Sequence, residues 1–295
     1  MGVKRFICPN GDRVMIGDCL NECPQKVRCM GTPTLKNLAA NCRDRGFNKF
    51  SVTELIRGTR EMFLLKSMDY DVDPQSMLFA AHGTAIHKIN EENSEGIISE
   101  LRLENDIATG QIDAYGDVLG TGENILLDYK VTSSYKARKA IGLHQVDVPT
   151  GEVYKTGAKK GQPKYRKELR QGGIRGVFEW ALQLNFYRML LEEYGYKVEG
   201  MYIQMYVRNY SANTSNERDT LRPINIIKIN KISDFWIRRW FKAKLDRLEY
   251  ALKQNKLPAP CKKRETWNGN KCQGYCNVAS YCDVANSYIN ETSIA

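Results

Sequence analysis

Eight of the nine cysteines of this 295-residue chain fall into two sets with identical internal gaps. Cys8, Cys19, Cys23 and Cys29 follow the pattern C-x10-C-x3-C-x5-C, and Cys261, Cys272, Cys276 and Cys282 repeat it near the other end; Cys42 stands apart. Four thiolates so grouped match the ligand shell of a tetrahedral zinc ion or of a cubane iron–sulfur cluster. In a chain that reads as intracellular, this many cysteines point to metal binding more readily than to disulfides. Turn-forming residues accompany both sets: Asn10, Gly11, Gly17 and Pro24 at one end, and Asn268, Gly269, Asn270 and Gly274 at the other. They let the backbone fold around an ion. Buried unligated thiols are the bland alternative, since free cysteine packs as a small hydrophobe. The repeated spacing argues against it. Spacing alone does not choose between zinc and iron–sulfur, because four thiolates serve both.

With 42% apolar residues the chain can bury a substantial core as one large domain with appendages. No apolar run approaches the roughly 18 to 20 residues that cross a bilayer, and the opening MGVKRFICPNGDR lacks the apolar centre of a signal peptide. A soluble, cytoplasmic protein without a membrane partner is expected. The formal charge of +10, from 44 basic and 34 acidic residues, favours a polyanionic partner.

The middle of the chain carries the chemistry. FSVTELIRGTREMFLLK, from Phe50, has apolar residues at helical spacing behind a Ser51/Thr53 start signal, which predicts a helix to about Lys66. A second helix is expected over Met77 to Glu92, containing His82 and His87. A lone helical histidine is more often a packed or surface residue than a ligand. ISELRLEN, TGQIDAYGDVLG and NILLDYKVTSS then read as three strands of a meander. Asp113 lies in the second, and Asp128 and Lys130 share one face of the third. Two carboxylates that hold Mg2+ or Mn2+ beside a lysine suit phosphodiester hydrolysis. Taken alone, Asp128-Tyr129-Lys130 would read as a surface ion pair on an edge strand. Further on, GVFEWALQLNFYRMLLEEYG forms an amphipathic helix with Gln183 and Tyr187 on one face.

The ordered series Gly-Thr-Ala-Ile-His87, Gly-Gln-Ile-Asp113, Leu-Leu-Asp128-Tyr-Lys130 and Gln183-Leu-Asn-Phe-Tyr187 resembles the RecB-type nuclease signature of the PD-(D/E)XK superfamily. The resemblance runs from about Phe50 to Cys282. It implies that His87, Asp113, Asp128 and the backbone carbonyl of Tyr129 bind the metal, that Lys130 orients or activates water, and that Gln183 and Tyr187 position the lysine and the DNA backbone. Glu100 is a further acid implied by relatives with a glutamate in the first strand, with Glu104 competing for the role. AddB-type and CRISPR-adaptation relatives hold a 4Fe-4S cluster through one cysteine in the opening helix and three near the C-terminus. Here that helix reads R-G-T-R, with Gly58 at the expected cysteine, so Cys261 is the simplest replacement, and cross-pairing of the two sets stays open. The resemblance thus implies a 4Fe-4S cluster on the C-terminal set; for the N-terminal set a second iron–sulfur cluster and zinc remain equal alternatives.

Between the lysine and Gln183 lies a segment poor in core-forming residues. From Ser133 to Trp180 it carries eleven Lys or Arg against four Asp or Glu. A hairpin or flexible loop is expected, with Lys155, Lys159, Lys160, Lys164, Arg166 and Lys167 meeting phosphates and Tyr154 and Tyr165 able to stack on bases. A solvated loop is the equally weighted alternative. The segment SDFWIRRWFKAKLDRLEYALKQNK is expected to pack on the core with a basic outer face.

The expected fold is α/β: a PD-(D/E)XK-like central mixed sheet flanked by helices, with cysteine modules at 1–45 and 259–295 around a core at 46–258 that carries the basic insertion at about 133–178. The expected function is a Mg2+- or Mn2+-dependent DNase acting on single strands or ends in replication, recombination or repair, with a helicase or recombination protein as possible company. A non-catalytic nucleic-acid-binding protein with two four-cysteine metal modules is the competing expectation. Acids that face a phosphate have no use in simple binding, which favours the enzyme.

Overall fold

A computed structural model describes residues 2–42, 49–172, 176–211 and 221–285. Residues 43–45 and 286–295 of the two expected cysteine modules, and 173–175 of the basic insertion, lie outside the described residues. The architecture is mixed α/β, with three sheets flanked by helices.

The N-terminal region pairs β1 (Val3–Ile7) antiparallel with β2 (Arg13–Met15), followed by α1 (Ile16–Asn21) and α2 (Thr32–Ala40). β3 (Tyr70–Val72) joins β1 in parallel, so this sheet draws in chain from beyond residue 45. Arg5 fixes the contact by donating to both carboxylate oxygens of Asp71, at 2.8 and 3.1 Å.

The single helix expected from Phe50 to Lys66 is two: α3 (Val52–Ile56) and α4 (Thr59–Ser67). Ser51 and Glu54 form a reciprocal capping box that starts α3. Arg57 and Gly58 then turn extended, and Lys244 Nζ donates to the Arg57 carbonyl at 2.7 Å. That bond satisfies an acceptor the helix gives up at the break. A 3-10 turn at Pro74–Met77 leads into α5 (Leu78–Glu92), so Met77 belongs to the turn.

The central sheet has the order β10-β9-β6-β5-β4. The expected meander is β4 (Ile98–Glu104), β5 (Thr109–Gly116) and β6 (Ile125–Thr132), all antiparallel. β6 pairs in parallel with β9 (Gly200–Val207), and β10 (Ile224–Lys228) closes the edge antiparallel to β9. Between β6 and β9 come α6 (Ser134–Ala140), a two-stranded hairpin of β7 (Leu143–Val153) and β8 (Pro163–Gln171), and α7 (Phe178–Glu193). The basic insertion is therefore a hairpin.

In α7, every residue from Leu182 to Leu191 is buried. Apolar side chains all round are what a helix needs when it has protein on both sides. Here the sheet lies against one side and α8 (Asp234–Lys253) against the other. Phe186 and Phe241 meet with ring centroids 4.4 Å apart. α8 buries Ile237, Phe241, Leu245 and Leu248 at helical spacing and leaves most of its cations outside, as its sequence pattern predicts. The Arg188 cost of burial is offset by carboxylates of Glu192 and Asp234. Two 3-10 turns, Asn270–Gln273 and Ala279–Tyr281, shape the C-terminal segment. Among the described residues, no helix is long and apolar enough to cross a membrane.

Candidate active site and cysteine sites

The ladder between β5 and β6 runs only from Gly116↔Ile125 to Ala114↔Leu127. The next residues, Asp113 and Asp128, no longer pair, whereas β6 stays paired with β9 as far as Thr132↔Val207. The sheet therefore opens where its two aspartates face each other. In the gap the Tyr129 N–H donates to Asp113 Oδ2 at 2.8 Å in place of a ladder bond. A strand residue turns its N–H and C=O to the same edge, so the Tyr129 carbonyl faces this gap too.

Around the opening, His87 of α5 brings Nδ1 to 3.5 Å from Asp113 Oδ1 and 3.6 Å from Glu100 Oε1. His87, Glu100 and Asp113 each offer a ligand atom, all within 4.8 Å of one another. Glu100 stands in β4 at φ +50°, a left-handed conformation uncommon outside glycine. Such outliers concentrate at functional sites because the surroundings must hold them. Gln111 does so here: its amide donates to Glu100, and its carbonyl oxygen accepts from Arg102 at 2.8 Å. Glu104, the rival acid, pairs with Lys49 at the exposed end of β4.

Asp128 is 1% exposed. Its Oδ1 accepts from Gln183 Nε2 at 3.0 Å, and Lys130 Nζ lies 2.8 Å from Oδ2, off the direction of a hydrogen bond. That oxygen is thus buried beside charge but without a directed donor, a state a cation relieves. The Gln183 amide links the group: Nε2 also donates to Tyr187 Oη at 3.1 Å, and Oε1 accepts from Lys130 Nζ at 3.1 Å. Gln183 and Tyr187, one turn apart on α7, therefore hold lysine and aspartate together. Gly110 makes the fit possible, because a Cβ there would lie 2.8 Å from Tyr187 Cε1.

Burial pushes the Asp128 carboxyl up to about 6, with Lys130 opposing and Asp113 adding to the rise. Contact with Asp113 raises His87 to about 9 against its own burial, with Asp128 and Glu100 adding. Burial also raises Glu100 and Tyr187. The acids are crowded, and Lys130 and His87 are the cations that stand against them. Oxygen ligands, one imidazole and an orphaned carboxylate oxygen suit a hard divalent cation such as Mg2+ or Mn2+. The residues border a cleft of about 330 Å3 that Ser51, Thr53, Arg102 and Gln111 help to line. Sequence reading gave Ser51 and Thr53 only the start of a helix and gave Arg102 and Gln111 no role; Gln111 sits in the quoted Gly-Gln-Ile-Asp motif, and the others become neighbours of the site only through packing. His82 is elsewhere, edge-on to Phe79.

Each cysteine set gathers in space. In the N-terminal set, burial and then the thiols of Cys29 and Cys23 raise Cys8, while burial and then Cys23, Cys8 and Cys29 raise Cys19. Cys261, Cys272, Cys276 and Cys282 line one cavity with Arg60 and Glu61 of α4. A Cβ on Gly58 would overlap the Cys261 sulfur, so Cys261 occupies the space a side chain there would fill. Burial pushes the Cys276 thiol up to about 11, with Glu61 adding. Among the described residues, no three sulfurs of either set lie mutually within 4.8 Å.

The six hairpin cations differ in their surroundings. Lys164 and Arg166 pair with Glu152 and Glu168, at 3.0 and 2.6 Å. Lys155, Lys160 and Lys167 are exposed without an acidic partner among the described residues, and Lys159 stands 5.9 Å above the Tyr154 ring. Comparison with known proteins finds no matching family model, curated protein or solved structure.

Proposed function

We propose that the chain is a Mg2+- or Mn2+-dependent deoxyribonuclease of RecB-like, PD-(D/E)XK type that hydrolyses phosphodiester bonds in single strands or at DNA ends. One observation carries the reading. His87, Glu100, Asp113, Lys130, Gln183 and Tyr187, from five separate elements, line one cleft where the sheet opens, and Asp128 lies buried directly behind Lys130 and Gln183. An ion pair that only stabilises a fold needs no imidazole and two carboxylates gathered within 4.8 Å of one another on the wall of an open cleft beside it. His87, Glu100, Asp113, Asp128 and the Tyr129 carbonyl would hold the cation. The cation supplies Lewis-acid polarisation of the phosphate and a more acidic water. Lys130, held by Gln183 on the same side, presents its ammonium to the charge that develops on phosphorus-bound oxygen.

The cysteine sites belong to the same proposal. A single zinc with bonds near 2.3 Å draws its sulfurs to about 3.8 Å of one another, whereas a cluster spaces them wider. The resemblance favours a 4Fe-4S cluster on the C-terminal set, and two features support it: all four thiols line one cavity, and the Cys261 sulfur fills the space beside Gly58. The N-terminal four hold a second cluster or zinc. The free cations of the hairpin would meet the DNA backbone, and a helicase or recombination protein would supply the single strand in replication, recombination or repair.

The test is cleavage of end-labelled single- and double-stranded DNA by anaerobically purified protein with Mn2+, Mg2+ or chelator, beside its visible spectrum. Metal-dependent degradation is expected, and Asp113→Asn should lower its rate by at least about a thousandfold, since the metal and its activated water supply most of the barrier reduction. Cleavage that persists in Asp113→Asn rejects the site. Tight DNA binding with no cleavage under any metal moves the reading to a binding protein with two four-cysteine metal modules.

A further inference from the structure

A second, larger cleft of about 1040 Å3 lies between α3, the start of α7, α8 and the C-terminal segment 256–271. Its lining is cationic. Lys136, Lys244 and Lys271 are paired with Glu179, Glu265 and Glu61. Arg247, Lys256, Lys262 and Lys263 also line it, are exposed, and pair with no acid among the described residues. Aromatic rings stand among these charges: Trp180 under Lys136 at 5.0 Å, Trp240 under Lys244 at 5.5 Å, and Trp267 under Lys271 at 5.7 Å.

Trp267 is the most telling of them. It is 46% exposed on the cleft wall and held at φ +52°, a backbone state that a bulky residue rarely adopts. The turn maintains it through Asn268 N donating to Lys263 O at 2.8 Å and Lys271 N to Thr266 O at 2.9 Å. The ring leans on Tyr275, with centroids 5.5 Å apart, yet keeps nearly half its surface in solvent, which leaves it area on which a flat ligand can stack.

We propose that this cleft binds a single-stranded polynucleotide, with Arg247, Lys256, Lys262 and Lys263 on its phosphates and Trp267 and Trp180 against its bases. Unpaired cations interleaved with flat rings match a flexible polyanion that exposes unpaired bases. A duplex buries its base faces and gives these rings nothing to stack on. The cleft also abuts the carboxylate site. On α3, Thr53 lines the small cleft and Ile56 the large one; on α7, Gln183 lines the small cleft and Glu179 the large one. Each step is three or four residues, about one helical turn or ~5 Å along the axis. A strand seated in the large cleft therefore reaches the acids by its end or its next phosphate. The binding proposal stands independently of whether those acids hydrolyse it.

The experiment is fluorescence anisotropy of a labelled 20-nucleotide oligothymidylate with the full chain in chelator, across a salt series. R247E/K262E/K263E should weaken binding at least tenfold and flatten the dependence of log affinity on log salt by about 2, as expected for three lost phosphate contacts. Trp267→Gly removes the ring and relaxes the backbone, so it should keep or raise the melting temperature while weakening binding about tenfold. Wild-type affinity in both variants overturns the proposal, as does a duplex of equal length that binds as tightly as the single strand. Loss of binding only on reversal of hairpin charges, in K155E/K159E/K160E, assigns the strand to the hairpin and overturns it too. Hydrolysis of bis(p-nitrophenyl) phosphate by the wild-type chain with Mn2+ reports separately on the nuclease reading.

Discussion

The two cysteine sets share one spacing and occupy opposite kinds of surroundings. The N-terminal four sit on a small three-stranded sheet: Cys8 follows β1, Cys19 lies in α1, Cys23 follows it, and Cys29 is exposed. Cys19 is buried in the core, and the loops that carry the other three are tied by solvated polar groups, such as Asp12 accepting from Asn10 at 2.8 Å and Gln25 at 2.7 Å. Arg28 donates to the carbonyls of Leu20 and Asn21, at 3.0 and 3.1 Å, and so closes the end of α1. The C-terminal four instead press against α4, where Arg60 and Glu61 are buried. Arg60 reaches Asp283 and the Pro258 carbonyl, and Glu61 takes Lys271. Cys261 also lines the large cleft. The same gaps can thus make a set anchored by one buried thiol with its other loops solvated at one end, and a fastening between core and cleft wall at the other. Spacing decides which thiols can meet; what they lean on decides what their loss costs.

Cysteine replacement should separate the two ends most. Cys276→Ser removes a half-buried thiol from the fastening and, if that set holds a metal or cluster as proposed, is expected to cost on the order of 3 kcal/mol, a fall of about 10 °C in Tm, whereas Cys23→Ser should leave the main thermal transition within about 3 °C. Equal falls would show that the ends are energetically alike. Glu61→Leu comes next. It strands Lys271 in a buried setting and should cost about 2–4 kcal/mol by chemical denaturation; a cost below about 0.5 kcal/mol would mean that the pair merely breaks even.

Glycine substitutions sharpen the contrast by sign. Gly58→Ala drives a methyl into the Cys261 sulfur and should destabilise by about 1–3 kcal/mol. Gly17→Ala in α1 meets nothing within 4 Å and should stabilise its helix by about 0.5–1 kcal/mol. Urea melts of both variants check the pair, and a stabilised Gly58→Ala protein would remove the packing account of that position. The smallest effect belongs to Asn10→Ala, expected within about 0.5 kcal/mol because its partners are solvated.

Much of the site was legible before any tertiary structure. His87, Asp113, Asp128, Lys130, Gln183 and Tyr187 each lie in a short motif; the structure places five of them on the wall of one cleft and buries Asp128 against Lys130 and Gln183 just behind it. The three strands of the meander and the helix over 78–92 follow from alternation and helical spacing. The break at Arg57–Gly58 was not legible. The apolar pattern runs through it, and only Lys244, 187 positions away, supplies the donor that lets the helix interrupt. Glu100 could not be told from Glu104 for a similar reason. Both are strand acids, and what separates them is the backbone turn at Glu100 and the Gln111 amide beside it.

The sequence by itself determined the two cysteine quartets, the three meander strands with the helices at 78–92 and 178–193, and the candidate site residues, because periodicity and spacing are local and survive without a fold; β9 and β10 of the same sheet went unread. Tertiary structure alone decided where the sheet parts between Asp113 and Asp128, which oxygen of Asp128 lacks a directed donor, that Cys261 fills the space beside Gly58, and that cations from Arg57 to Lys271 share one cleft with the exposed Trp267 and the half-buried Trp180 and Trp240. Each of these depends on groups far apart in the chain arriving at one point, and such convergence is set by how helices and sheet pack.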